Sequence, residues 1–127
     1  MVKDIAGIRR RARQEAESLY DGSCTISEYR KRTEPDTGLT RHHEETVVTD
    51  CPCRLSYESS PASGRTDTAA PVSQGIKLFL APETEVRPGS KITVTQAGAT
   101  RQYRASGVSK VYPTHQEVEL ELFRGWA

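Results

Sequence analysis

The period of the apolar residues changes once along this chain, near residue 22, and that change limits the folds open to it. Before it, Ile5, Ile8, Ala12, Ala16 and Leu19 recur at intervals of three and four and so share one face of a helix. Asp4 is placed to cap its start, and Asp21-Gly22 to end it through a left-handed glycine. The expected helix is about sixteen residues long, within 1–21.

After residue 22 the period is near 2. Cys24 to Thr33 alternates as a strand does, and Glu34-Pro-Asp-Thr-Gly38 is a turn: Pro35 presets its backbone angle, Asp36 can bond its own backbone, and Gly38 tolerates positive φ. A return strand is expected over roughly Leu39 to Asp50, with the run ending at Cys51-Pro-Cys-Arg-Leu-Ser-Tyr57. Further strands are expected at Ile76 to Ala81, Lys91 to Gln96, Thr100 to Ala105 and Gln116 to Phe123. Gly98 marks a short hairpin and Gly107 a bend. In the last strand Val118, Leu120 and Leu122 are expected to face inward, and Glu117, Glu119 and Glu121 water. The fold class is mainly β, a small closed or partly closed barrel of six or seven strands with an N-terminal helix. At 127 residues it is read as one domain, with helix 1–21, barrel 24–57 and 75–123, and a flexible loop 58–74.

That loop interrupts the strands with little to bury. Ser59, Ser60, Pro61, Ala62, Ser63, Gly64, Arg65, Thr66, Asp67, Thr68, Ala69, Ala70, Pro71, Val72, Ser73 and Gln74 carry one positive and one negative charge, at Arg65 and Asp67. Such an excursion inside a compact domain is either functional or a tolerated insertion.

Leu, Ile, Val and Phe supply only 23 of the 127 residues, while the formal net charge is +1. The core must be thin, which suits a domain stabilised partly by neighbouring copies. Near-neutral charge argues against a dedicated duplex-binding protein, whose affinity comes mainly from neutralised phosphates. Arg9, Arg10, Arg11 and Arg13 nevertheless crowd the helix, and with Glu117, Glu119 and Glu121 they form candidate partner interfaces of opposite sign. The chain lacks an apolar run long enough to cross a bilayer and an apolar signal region at its start, so a soluble protein made in a cytoplasm is expected.

Residue types suited to metal, catalytic and nucleic-acid chemistry occur, but not in the patterns that chemistry favours. His42, His43, Cys51 and Cys53 are ligand types, but one residue separates the cysteines, and adjacent histidines on a strand point to opposite faces. No metal or cofactor is expected, and Cys24, Cys51 and Cys53 are read as reduced thiols. Without a nucleophile elbow, a phosphate-cradling loop or an HExxH motif, no enzyme is expected either. Tyr29, Tyr57, Tyr103 and Tyr112, interleaved with Arg30, Arg54, Arg101 and Arg104, would suit stacking on single-stranded nucleic acid, but also half-buried strand positions.

Several short motifs then fall in a recognisable order: Tyr29 to Arg32, the turn with Asp36-Thr-Gly38, Cys53-Arg-Leu-Ser-Tyr57, the polar loop, Lys77-Leu-Phe-Leu80 with Pro82, Pro88-Gly-Ser-Lys-Ile-Thr-Val94, and His115-Gln-Glu-Val118. In this order, over roughly residues 20 to 123, the chain resembles the head-closure, or stopper, proteins of tailed bacteriophages. The resemblance implies a β-barrel subunit of a twelvefold ring in the virion neck, between the portal with its adaptor and the tail, assembled in the host cytoplasm. It further implies that the 59–74 segment is the stopper, closing the DNA channel after packaging and moving aside for ejection, in passing contact with double-stranded DNA. A tail-completion or adaptor protein of the same neck, and an oligonucleotide-binding barrel, are the competing readings.

Overall fold

The computed structural model describes residues 4–61 and 72–126, apart from the side chains at 59–61 and 72–74. The helix α1 spans Ile5–Glu17, and the Asp4 side chain accepts a hydrogen bond from the Gly7 amide at 2.9 Å, the capping contact the sequence suggested. Its end differs from expectation. Ser18 closes α1 in a right-handed conformation, and Gly22 instead opens the first strand. Glycine is required there by crowding: a β-carbon would sit 3.0 Å from the Gln96 Oε1 and 3.1 Å from the Cys53 carbonyl oxygen.

Seven strands follow: β1 Gly22–Thr33, β2 Thr40–Pro61, β3 Val72–Leu80, β4 Lys91–Gln96, β5 Ala99–Ala105, β6 Lys110–Val111 and β7 Gln116–Leu122. All pairings are antiparallel in the order β3-β2-β1-β4-β5-β7-β6, and β3 also pairs with β7. That last pairing closes six strands into a barrel, with β6 as a two-residue addition beside the start of β7. The side chains from alternate positions, including Ile26, Leu78, Leu80, Ile92, Val94, Tyr103 and Val118, fill its interior.

β2 is longer than the sequence suggested because it changes partner without stopping. It pairs with β1 up to Cys53, and from Cys53 onward with β3. Two register shifts, at Cys24/Ile26 and Ile26/Ser27, bend it around the barrel. At the first, Asp50 takes a φ of 50°, the left-handed conformation an extra residue in a ladder adopts. Past Gly22 the β2 backbone has no β1 neighbour, and the Gln96 side chain substitutes for one, accepting from the Leu55 amide at 2.8 Å and donating to its carbonyl at 3.4 Å.

The two ends of β2 each extend into a two-stranded ribbon. β4 accompanies β1 only from Ser23 to Ser27, so Glu28–Thr33 and their partners Thr40–Glu45 continue as a pair alone. β7 accompanies β3 only from Ile76 to Leu80, so Glu58–Pro61 and Val72–Gly75 do the same from the other end of β2. One inward assignment in β7 is corrected. Val118 and Leu120 are buried, but Leu122 is 55% exposed, because β3 has parted from β7 beyond Ile76 and continues with β2 alone, so it no longer covers that level.

Candidate functional site

The segment read as a loop over 58–74 is partly strand. Glu58 pairs with Gly75, Ser59 with Gln74, Ser60 with Ser73 and Pro61 with Val72, so the ladder runs four pairs beyond the last residue held by β7. The remaining stopper candidates, Ala62 to Pro71, lie outside the described residues. Ser and Pro carry little strand propensity, so local pattern ends the strand at Tyr57; hairpin registry carries the pairing through them.

The charged candidates are dispersed. Arg13 bonds Glu17 at 2.9 Å and Glu83 at 2.7 Å, which ties α1 to the turn after β3. Those carboxylates hold the Arg13 guanidinium above its ordinary range, Glu83 foremost. Arg9, Arg10 and Arg11 are exposed on α1, as are Ile5 and Ile8. Glu117 lies between Lys77 at 3.9 Å and His115 at 3.0 Å, and Glu121 meets Arg104 at 2.6 Å. Glu119 is exposed. Among the described residues no ion pair joins the helix arginines to these glutamates.

The three cysteines gather in the core as free thiols. Cys24 lies directly opposite Cys51 across the β1–β2 ladder. The neighbouring Cys24 thiol lowers the Cys51 pKa to about 6 against the opposing effect of burial, with Thr84 adding a weaker contact. Cys24 is raised by its thiol neighbours Cys51 and Cys53 and by burial. Among the described residues no three His, Cys, Asp or Glu side chains are placed to hold a metal ion.

The tyrosines do not form one stacking surface. Tyr103 is buried and bonds the Tyr57 hydroxyl at 3.3 Å; burial and then that neighbour push it up to about 12. Tyr112 stacks on His115, and Tyr29 lies elsewhere, in an aromatic pile the sequence did not reveal. Gly125, at φ 101°, turns the C-terminal segment back so that the Trp126 ring lies parallel to Tyr29 at 5.0 Å. His42 stacks on Tyr29, Phe123 meets Trp126 edge-on, and the Trp126 indole N–H donates to Glu44 at 3.1 Å.

This pile forms one wall of a groove of about 700 Å³ at the base of the β1–β2 ribbon. Arg30, Arg87, Arg104 and Arg124 line it with only two acids, Glu28 and Glu121. Glu28 bonds Arg30 at 2.8 Å and lies 4.0 Å from Arg87, while Glu121 is taken by Arg104. Among the described residues Arg124 has no ion-pair partner. Ser90, another lining residue, is 2% exposed and its hydroxyl has no hydrogen-bond partner among them. No sequence pattern announces the groove, because its residues come from segments far apart in the chain.

Comparison with known proteins gives one family. A model of a family of unknown function, DUF6093, matches residues 12–115. No curated protein matches the chain. Among solved structures, the phage-like element PBSX protein xkdH from Bacillus subtilis is similar at 12% identity and a TM-score of 0.48, over 77% of this chain and 90% of that one. At that score the likeness carries neither fold nor function across.

Proposed function

The chain belongs to the family of unknown function DUF6093, and from its own residues we propose that it is a structural protein of the tailed-phage neck, a head-closure protein that closes the DNA channel. The observation that carries the reading is the β2–β3 hairpin. The order of motifs places the stopper between these two strands, and they continue as a paired ribbon past the barrel wall. A gate has to be held away from its barrel on a support stiff enough to resist the pressure of DNA, and paired strands supply that. It also has to block without gripping: one Arg and one Asp in residues 59–74 give each copy no net charge to bind phosphates.

In this reading a ring of copies, twelvefold by resemblance, sits between the portal-adaptor and the tail. The barrel interior is filled by side chains, so the channel for double-stranded DNA is the centre of the ring, not of the barrel. Loss of residues 62–71, with both strands retained, is the test. Filled heads should form and then leak their DNA; heads that keep it would refute the gate.

A second reading, an adaptor or tail-completion protein of the same neck, is favoured by α1. Ile5 and Ile8 are each more than half exposed on a helix that buries none of its residues, and so is Leu19 just past its end. Binding to isolated portal complexes or to tail tubes separates the two. The oligonucleotide-binding reading is weakened by Tyr103, which lies inside the barrel.

A further inference from the structure

We infer that the groove beside Trp126 receives the tip of the β1–β2 ribbon of a second copy of this chain, so that the ribbon links neighbours head to tail. The inference rests on the ring assembly proposed above and names the contact that would build it.

The tip is rigid and chemically distinct from the ribbon that carries it. The Gly38 amide donates to the Glu34 carbonyl at 2.8 Å and the Glu34 amide to the Leu39 carbonyl at 2.8 Å, with Gly38 at φ 72° completing the turn. Glu34 is occupied by Arg41 at 3.6 Å, which leaves Asp36 as the exposed carboxylate without an ion-pair partner among the described residues. Leu39 stands beside it, 51% exposed. An acidic and an apolar group are thus held side by side at the end of the ribbon.

The groove offers the complement. Among the described residues Arg124 is the groove cation without an ion-pair partner and the buried Ser90 hydroxyl has no hydrogen-bond partner, while Leu122 is an exposed apolar side chain at 55%. A carboxylate beside Arg124 could accept a bidentate, charge-assisted pair. A polyanion fits less well, because Glu28 and Glu121 also line the groove and would repel a run of phosphates.

The tip cannot reach its own groove. Thr33, the end of β1, lies five residues beyond Glu28 at the groove, and an extended strand of that length spans roughly 17 Å. The occupant must come from another chain, and one tip and one groove per copy make a heterologous contact, the type that builds a ring when its rotation closes. A six-residue tip buries little area, so a single contact is weak and gains strength only when the ring closes.

The single tryptophan of the chain lies in the groove wall and reports on it. Trp126 emission and sedimentation, followed against protein concentration, should change together. Asp36→Lys and Arg124→Glu should each weaken association roughly tenfold or more. Because each variant keeps one intact half-site, mixing them should restore a pairwise complex, which also establishes that both remain folded. The inference is overturned by a wild-type chain that stays monomeric at roughly 1 mM, by association that survives both substitutions, or by a mixture that recovers nothing. It is equally overturned if short duplex DNA, and not self-association, moves the emission. None of these outcomes depends on DNA retention in heads, so failure here is distinguishable from failure of the gate.

Discussion

Gln116 is the polar side chain on which the barrel rim depends, and replacing it gives a measurable cost. It is 1% exposed on the inner face of β7, and its amide nitrogen donates to the Ala81 carbonyl at 2.7 Å and the Thr84 carbonyl at 2.5 Å. These bonds hold the turn after β3, which presents Glu83 to the helix and leads to Arg87 at the groove. Gln116→Leu keeps the volume and removes both donors. The Ala81 carbonyl retains a long bond from the Thr84 amide at 3.3 Å, so chiefly the Thr84 carbonyl is orphaned. Weighing one full and one partial loss gives about 2–4 kcal/mol. That is a large part of the roughly 5–15 kcal/mol by which domains are stable. In urea the midpoint should fall by about 1–2 M.

The isosteric Gln116→Glu variant adds a sign. Burial against two carbonyls raises a carboxyl pKa in the folded state above its unfolded value. Below the unfolded value the acid is protonated in both states and carries no ionisation penalty. The penalty grows as pH rises toward the folded pKa and is constant above it, at about 1.4 kcal/mol for each pH unit that separates the two values. This variant should therefore regain stability on acidification relative to Gln116→Leu. A Leu variant within about 0.5 kcal/mol of wild type, or a Glu variant that follows the Leu variant at every pH, would refute the reasoning.

Four further outcomes are expected. The two-residue β4–β5 turn holds both Ala97 and Gly98 at positive φ, 53° and 80°, so Ala97→Asn should stabilise by about 1 kcal/mol in calorimetry. Gly98→Ala should destabilise by about 1–2 kcal/mol through backbone strain, since nothing lies within 4 Å of its would-be β-carbon. Among the thiols Cys51 should alkylate first and Cys24 last; Cys51 reactivity should fall as pH drops through about 6, and Cys51→Ser should remove the fast phase. Gly125→Ala should displace Trp126 from Tyr29, seen as a shift in tryptophan emission without loss of the cooperative unfolding transition.

The parts of this fold legible in the sequence are those set by local pattern. The β4–β5 hairpin and the buried Val118 and Leu120 follow from alternation and turn residues. What local pattern misplaces depends on neighbours distant in sequence. Leu122 keeps the alternation yet faces solvent because β3 leaves β7 before that level and continues with β2 alone. Gly22 has the look of a helix stop and is a point of close approach to Gln96 and Cys53. Cys51-Pro-Cys53 has the look of the approach to a strand end and is where β2 passes from one partner to the other. The groove was illegible because Glu28, Arg87, Arg104 and Trp126 meet only once the barrel has closed.

That closure also constrains how the chain reaches this state. β7 pairs with β3, β5 and β6, yet it follows all three in the chain. Until residue 122 leaves the ribosome, β3 and β5 expose unpaired edges, and closing the barrel requires joining residues 76–80 to 116–120. Such distant pairing is slow, and its open intermediates are prone to aggregate. Truncation within β7 should therefore abolish soluble protein, not trim its stability, and subunits become competent to assemble only once β7 has been made.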